Sequence, residues 1–345
     1  MNFLFIGESD YANSGRLMAK ALETQGHQTK TFVGRHSVLE YPDQGELFRT
    51  KSQWIIEIPQ WIEWADAITV IQSELPRGMG GQYPIPMQSG EKDRWLNQMN
   101  KPIIVLHGGG YYRAHKKFYL RQWAHAKHHI CYSSDLMGRF EHESLVLPPV
   151  NDEYFGFDSR NGELSLGHFP SRPEDKGTAN ILQVFRNSGL SWKSGPRLPW
   201  LEHIKRFKEC DAVVDQIQLM VKGERVGEWV SSATEAAASG CISIANSHNP
   251  LPYKETYGKL PGLWICNTFE ELAEKLNRLS KMSRAELEDT RHQCFDWCRG
   301  NHFLEPTGKI LSRIYEKCVN PDHGKVTVLS GSKSIRRARM EPGAA

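Results

Sequence analysis

The chain has 345 residues, of which 39% are hydrophobic and 24% charged. That length suits about two globular domains, and the balance excludes general disorder and fibrous repeats. Its 43 Lys and Arg stand against 40 Asp and Glu, a formal charge of +3. The total demands no polyanionic partner, so any basic function must come from local clustering. The longest clean aliphatic run, Ile103-Ile104-Val105-Leu106, is far short of the roughly 20 residues that span a bilayer. The apolar start, 1–6, lacks a basic flank and is too short for a secretory signal. Seven scattered cysteines, none in Cys-x-x-Cys, read as reduced thiols in a cytoplasm-like compartment, without a disulfide framework or zinc site.

In chain order, the pattern predicts a strand over 2–6, a polar loop, and a helix with Ser14 as N-cap and Leu17, Met18, Ala21 and Leu22 on one face. Gly26 ends that helix and 29–33 is the next strand, the signal of a parallel, doubly wound sheet. Further strands are expected over 67–71, 102–106 and 129–132, and helices over 91–99, 115–127 and 135–143. A polar, Gly-rich stretch at 151–163 marks the domain boundary. The pattern then restarts with a strand over 164–169, a helix to about 187, a helix over 200–209 and a strand over 211–214. An Ala-rich helix over 234–239, a strand over 241–245 and helices over 269–279, 284–299 and 307–318 follow. The expected division is a first Rossmann-like domain over 1–155, a second over 160–318, and a tail over 320–345.

Two such α/β domains face each other across a cleft lined by the carboxyl ends of both sheets, where these folds bind ligands. After the first strand of the second domain come Arg172 and Lys176, beside a helix start. Two cations, free backbone N–H groups and a positive dipole end suit a diphosphate, and two solvated charges in a turn are the competing reading. Later come Ser231, Ser232 and then Glu235 at a helix start. A carboxylate there can accept both hydroxyls of a ribose, or serve only its own helix dipole.

The second half resembles the family-4-type glycosyltransferases of GT-B fold. Three blocks carry the resemblance: His168-x-Pro170-Ser171-x-Pro173-x-x-Lys176-Gly177-Thr178, then Asp211-Ala-Val-Val-Asp215-Gln216, then Glu235-Ala-x-Ala-x-Gly240. The resemblance implies two doubly wound Rossmann-like domains and an enzyme that moves a hexose or similar sugar from a UDP- or GDP-sugar to a hydroxyl, with retention. It implies that Arg172 and Lys176 hold the donor's phosphates and that Glu235 binds its ribose. It also departs from the family. Many members carry Glu-x7-Glu, with the first Glu near the transferred sugar; eight residues before Glu235 this chain has Gly227, as does a branch with Asp-Gln upstream. The stretch 189–198 is short and polar where the family has another strand and loop, so a trimmed second domain is expected.

In the first domain, Ser14 and Gly15 follow strand one, and similar proteins use such a Gly to bring backbone close to a phosphate or sugar. His107 ends the strongest strand before Gly108-Gly109-Gly110 and is expected to line the acceptor side. No Asp-x-Asp motif or carboxylate cluster points to a metal, and the Arg and Lys with a helix dipole would supply that charge. No tightly bound cofactor is expected beyond the nucleotide sugar.

The acceptor is read from 111–130, which holds Arg113, Lys116, Lys117, Arg121 and Lys127, four His, interleaved aromatics and no acid. The segment suits a nucleic acid such as a hydroxymethylated base in viral DNA, an anionic membrane or phosphorylated lipid carrier, or an ordinary basic helix face. The basic cluster 333–339 fits any of these. The resemblance sets the default acceptor, a bacterial surface glycan or lipid-linked glycan at the inner membrane face. A non-catalytic two-lobed binding protein is the reading from another class. A nucleotide-dependent oxidoreductase is weakened because no Gly-x-Gly-x-x-Gly follows strand one.

Overall fold

The structure, a computed structural model, describes residues 1–47, 51–73, 100–108, 112–113, 116–196, 198–218, 220–221, 224–225 and 227–320. The helix expected over 91–99, Gly109, Gly110, His115, the side chain of Lys116 and the tail 321–345 lie outside the described residues.

The first unit holds β1 (Asn2–Ser9), α1 (Ser14–Glu23), β2 (Gln28–Arg35), β3 (Glu46–Leu47), α2 (Lys51–Trp64), β4 (Ala67–Val70), β5 (Ile103–His107), α3 (Lys116–Gln122), β6 (His128–Cys131) and β7 (Glu143–Leu145). The described strands form a parallel sheet in the order β3-β2-β1-β4-β5-β6-β7. Phe3 to Ile6 are fully buried on both faces of β1. A parallel sheet is covered on both sides, which is why its central strands read as continuous apolar runs. Phe3, Phe5, Met18, Ala21 and Leu22 pack on one face, and Leu4, Ile6, Ile58, Ile62 and Trp123 on the other.

The second unit holds β8 (Ser165–His168), α4 (Pro173–Lys176), α5 (Thr178–Ser188), β9 (Ser191–Ser194), α6 (Trp200–Lys208), β10 (Ala212–Val214), the short β11 (Met220–Val221) and β12 (Glu224–Arg225), α7 (Ser231–Ala238) and β13 (Ile242–Ala245). It continues with α8 (Leu251–Tyr257), β14 (Trp264–Ile265), α9 (Phe269–Leu279) and α10 (Arg284–His302). Its parallel sheet runs β14-β13-β10-β8-β9. The two doubly wound sheets expected from the sequence are both present.

Several elements differ from expectation. Over 135–143 the chain makes a single 3-10 turn, Ser134–Leu136, and then β7. The Glu143 carboxylate accepts the backbone N–H groups of Gly138, Arg139 and Phe140, which ties this stretch as a loop. The second sheet is not trimmed where the sequence suggested it: β9 pairs with β8 from Ser165↔Ser191 to His168↔Ser194. All four residues of β9 are exposed, so this edge strand shows no apolar alternation to read.

The last helix, α11 (Leu304–Val319), leaves the second unit and packs on the first. Leu304, Leu311 and Tyr315 join the core of Phe3, Phe5 and Leu17. The Tyr315 hydroxyl lies 2.7 Å from Thr69 Oγ1 on β4. Residues 304–318, expected within the second domain, therefore complete the first. The outgoing and returning crossings touch: Val150 N–H donates to the His302 carbonyl at 2.8 Å and Val150 bridges to Phe303.

Candidate functional site

In the second sheet the first strand, β8, lies between the second, β9, and the third, β10. Connections leave β8 and β10 in opposite directions, which opens a crevice at their carboxyl ends. His168 closes β8 and is fully buried. Its Nδ1 lies 2.8 Å from the Val214 carbonyl and its Nε2 2.9 Å from Thr178 Oγ1. A carbonyl can only accept, so Nδ1 carries the hydrogen and the Thr178 hydroxyl donates to Nε2. Burial pushes His168 down to about 4, so it stays neutral and pins the start of α5 to β10.

Lys176 ends α4 and reaches into this crevice. Its Nζ lies 2.6 Å from Oδ1 of Asp215, the first residue after β10, and its side chain is 16% exposed. Arg172, four residues earlier, stands on the rim with a 61% exposed side chain, 3.8 Å from Asp175. Of the two cations expected at a diphosphate, one is placed in the crevice and the other faces solvent beside it.

Glu235 lies in the second turn of α7 and is buried. Its Oε1 accepts the Trp200 indole N–H at 2.8 Å. Burial raises its carboxyl to about 7; the Trp200 bond pulls the other way and Asp215 adds to the rise. Ser231 and Ser232 form the first turn of α7, half-buried, and no side chain caps that turn. Trp200 is fastened to the first unit: its backbone N–H donates to the Leu39 carbonyl at 2.7 Å, and Tyr41 packs on its ring at 5.1 Å.

The residues after β10 do more than sequence showed. The Gln216 side chain donates to the Gly227 carbonyl and, at 2.9 Å, to Asn246 Oδ1. Glu228 Oε1 accepts from Ser134 Oγ of the first unit at 2.7 Å and from the backbone N–H groups of His248 and Asn249 at 2.5 and 3.0 Å. Trp200, Asn246 and Glu228 carry no local signature, and the contacts of Gln216 are not shown by the Asp-Gln block it belongs to. They act through partners distant in sequence.

In the first unit three expectations are corrected. Ser14 is not the N-cap. Asn13 is, at φ 53°, and the Asp10 carboxylate takes the Gly15 and Arg16 N–H groups at 3.0 and 2.9 Å and Ser14 Oγ at 3.1 Å. The anion at the start of α1 is thus the protein's own, with its carboxyl raised by burial. A Cβ on Gly15 would lie 2.6 Å from Ile71 Cδ1, so this glycine lets α1 approach the turn after β4. Second, His107 does not line an open cleft. It is fully buried, 2.8 Å from His129 Nδ1 and ring-packed with Tyr112 and Phe140. Burial drives both imidazoles down and holds them neutral.

Third, Arg113 turns inward with a 17% exposed side chain. Its Nε and Nη2 grip Asp135 at 2.6 and 2.9 Å, and Nη2 also donates to Ser133 Oγ at 3.0 Å. Burial opposes the Asp135 charge, but the bonds from Arg113 outweigh it and hold that carboxyl below its usual range. Lys117, Phe118 and Arg121 are exposed on α3, while Tyr119 and Trp123 are buried beneath them. Among the described residues, no group of His, Cys, Asp and Glu could hold a metal ion, and no helix is long and apolar enough to cross a membrane.

Neither a protein family nor a curated protein matches the chain by sequence. Solved structures match it in fold. Alr3699/HepE of Anabaena, in complex with UDP-glucose, superposes with a TM-score of 0.60 at 10% identity, covering 91% of this chain and 99% of its own. An alpha-glucosyltransferase in complex with UDP and a 13-mer DNA gives 0.61 at 11%, covering 93% and 100%. A glycosyltransferase from Rickettsia africae gives 0.58 at 12%, covering 92% and 98%. The fold is GT-B. At these identities the likeness is one of fold, extending over both units. The GT-B cleft here is bridged by Arg113 against Gly227, Ser134 to Glu228 and Leu39 to Trp200. Lys176, Asp215 and α7 belong to its second-unit side.

Proposed function

We propose that the chain is a glycosyltransferase of the family-4 type that takes a UDP-sugar and passes its hexose, with retention, to a hydroxyl acceptor. The observation that carries this reading is Lys176 held by Asp215 at the carboxyl ends of β8 and β10, in the same crevice region as Glu235. UDP is favoured over GDP because UDP or UDP-glucose is bound in structures of like fold.

In this reading Lys176, Arg172 and the uncapped first turn of α7 at Ser231 and Ser232 receive the donor's diphosphate. Lys176 is oriented there before the reaction as one half of an ion pair with Asp215, and Arg172 as an exposed cation, so their donors stabilise the negative charge that builds on the leaving group more than they stabilise the ground state. Glu235 keeps Oε2 for a ribose hydroxyl while Oε1 holds Trp200. No residue is assigned as a covalent nucleophile, and the cations supply the charge that a divalent metal supplies elsewhere.

The acceptor in this reading is a glycan or lipid-linked glycan, reached from the first unit. The exposed Lys117, Phe118 and Arg121 on α3 favour DNA as a second acceptor, and a glucosyltransferase of like fold has been solved with DNA.

The test is a panel of UDP- and GDP-sugars with glycan, lipid-linked and DNA acceptors, read by mass spectrometry, with slow hydrolysis to water as control. Transfer or slow hydrolysis of a UDP-sugar is the expected result. Tight binding of a UDP-sugar with neither hydrolysis nor transfer would favour the non-catalytic binding protein instead.

A further inference from the structure

The loop that leads into α7 and the turn that follows β6 meet across the cleft. Gly227 stands eight residues before Glu235. A Cβ on Gly227 would lie 2.6 Å from Arg113 Nη2, 2.9 Å from its Cζ and 3.0 Å from its Nη1. Real Cβ atoms do not approach that closely, so the guanidinium occupies the space a side chain at 227 would need. The guanidinium is fixed on one edge by Asp135 and Ser133, the residues just after β6. The neighbouring pair, Ser134 and Glu228, holds the same two segments together, and Gln216 holds the Gly227 carbonyl. No described residue takes Nη1.

We propose that Arg113, reaching from the first unit over Gly227, is the residue that contacts the transferred sugar. The inference rests on the glycosyltransferase reading. In that reading the diphosphate lodges at the first turn of α7, which starts four residues after Gly227, and Gly227 with Arg113 marks where the two units meet. With the Nε hydrogen and both Nη2 hydrogens committed to Asp135 and Ser133, Nη1 keeps two N–H donors, which suit adjacent sugar hydroxyls. The guanidinium also acts as part of a neutral pair. Asp135 offsets its charge, so donors are offered to the sugar without net positive charge beside an anomeric carbon that becomes oxocarbenium-like. This reassigns Arg113 from a polyanion contact on the acceptor side to the sugar end of the donor site.

The test separates sugar from nucleotide. Binding of UDP, UDP-glucose and UDP-N-acetylglucosamine is measured by calorimetry on the full chain. The key variant is Arg113→Ala combined with Asp135→Asn, so that no buried carboxylate is left alone. Loss of charge-assisted hydrogen bonds should weaken the tighter UDP-sugar by about tenfold or more, while UDP, which has no sugar, changes by less than about twofold. Equal weakening of UDP and UDP-sugar, or no change in either, overturns the proposal. A second variant, Gly227→Ala, keeps Arg113 but displaces it. It should weaken UDP-sugar selectively, and that penalty should vanish in the Arg113→Ala/Asp135→Asn background. A penalty that persists there also overturns it. If wild-type chain binds neither UDP nor either UDP-sugar, the glycosyltransferase reading itself fails.

Discussion

Lys176, at the end of α4, and Asp215, just after β10, meet at 2.6 Å beside the ends of β8 and β10. Asp215 is only 4% exposed, and its Oδ2 is buried without a partner among the described residues. The ammonium is held at the crevice before any donor arrives, by a carboxylate that burial would otherwise penalise.

Lys176→Ala should therefore do two things. Turnover should fall about a hundredfold, the usual cost of one preorganised charge at a developing negative charge. The melting temperature should also fall, because Asp215 is left buried and unpaired. Adding Asp215→Asn should restore the melting temperature and leave turnover low. Arg172→Ala should lower turnover with no change in melting temperature, since its side chain is exposed. A double variant that regains turnover would show that the pair is structural only.

Glu235 links pH to stability with a definite sign. Its carboxyl sits at about 7 in the folded chain against 4.5 for the ordinary group, so the native state binds this proton more tightly than the unfolded state. The stabilisation is complete below about 4.5 and is lost as pH rises through about 7. The span is on the order of 3 kcal/mol. Melting curves of wild type and Glu235→Gln from pH 5 to 8 should diverge, with the variant gaining relative stability toward pH 8. In kinetics the same variant should raise the donor KM with little change in kcat, because ribose hydroxyls are held alike in ground and transition states. Parallel melting curves would remove the buried carboxyl from the account.

Gly15→Ala distinguishes packing from ligand binding. The added methyl would strike Ile71, and overpacking of this kind costs about 1–3 kcal/mol. The melting temperature should fall, and Ile71→Val should recover part of the loss. Reduced UDP-sugar affinity with an unchanged melting temperature would instead point to a phosphate at the start of α1.

For the acceptor, Lys117→Ala with Arg121→Ala should flatten the salt dependence of binding to duplex DNA, since each phosphate contact contributes a slope of about 0.9. Arg113 should contribute none of that slope, because Asp135 already neutralises it. Anionic vesicles in the same salt series separate a membrane surface from a nucleic acid. Binding to neither polyanion at low salt would leave a small soluble sugar as the acceptor.

The parallel sheets were legible because buried strands such as 103–106 are unbroken apolar runs and strand-end glycines follow them. The second-unit blocks could be placed on strand ends and helix starts because Lys176, Thr178 and Glu235 lie close to them in sequence. Arg113 and His107 were misread for the opposite reason. Arg113 is turned inward by Asp135, 22 residues on, and by the bare Gly227 of the other unit. His107 is buried by rings that come from α3's approach and from the loop before β7. In both cases the side chain's direction is decided by partners that no local spacing shows. Asp10 at the start of α1 is nearer, but a carboxylate and a phosphate satisfy the same N–H groups, so sequence alone could not separate them.

The return of α11 to the first unit makes the chain indivisible at its apparent boundary. A fragment ending near residue 155 would lack Leu304, Leu311 and Tyr315 and would expose Phe3, Phe5 and the Thr69 hydroxyl that they cover. A fragment starting near 160 would carry α11 as an amphipathic helix with nothing to dock on. Two lobes can be told apart by eye, yet each needs both halves of the polypeptide. The stitched crossings at Val150, His302 and Phe303 tie the two passages of the chain together where it leaves and re-enters the first lobe.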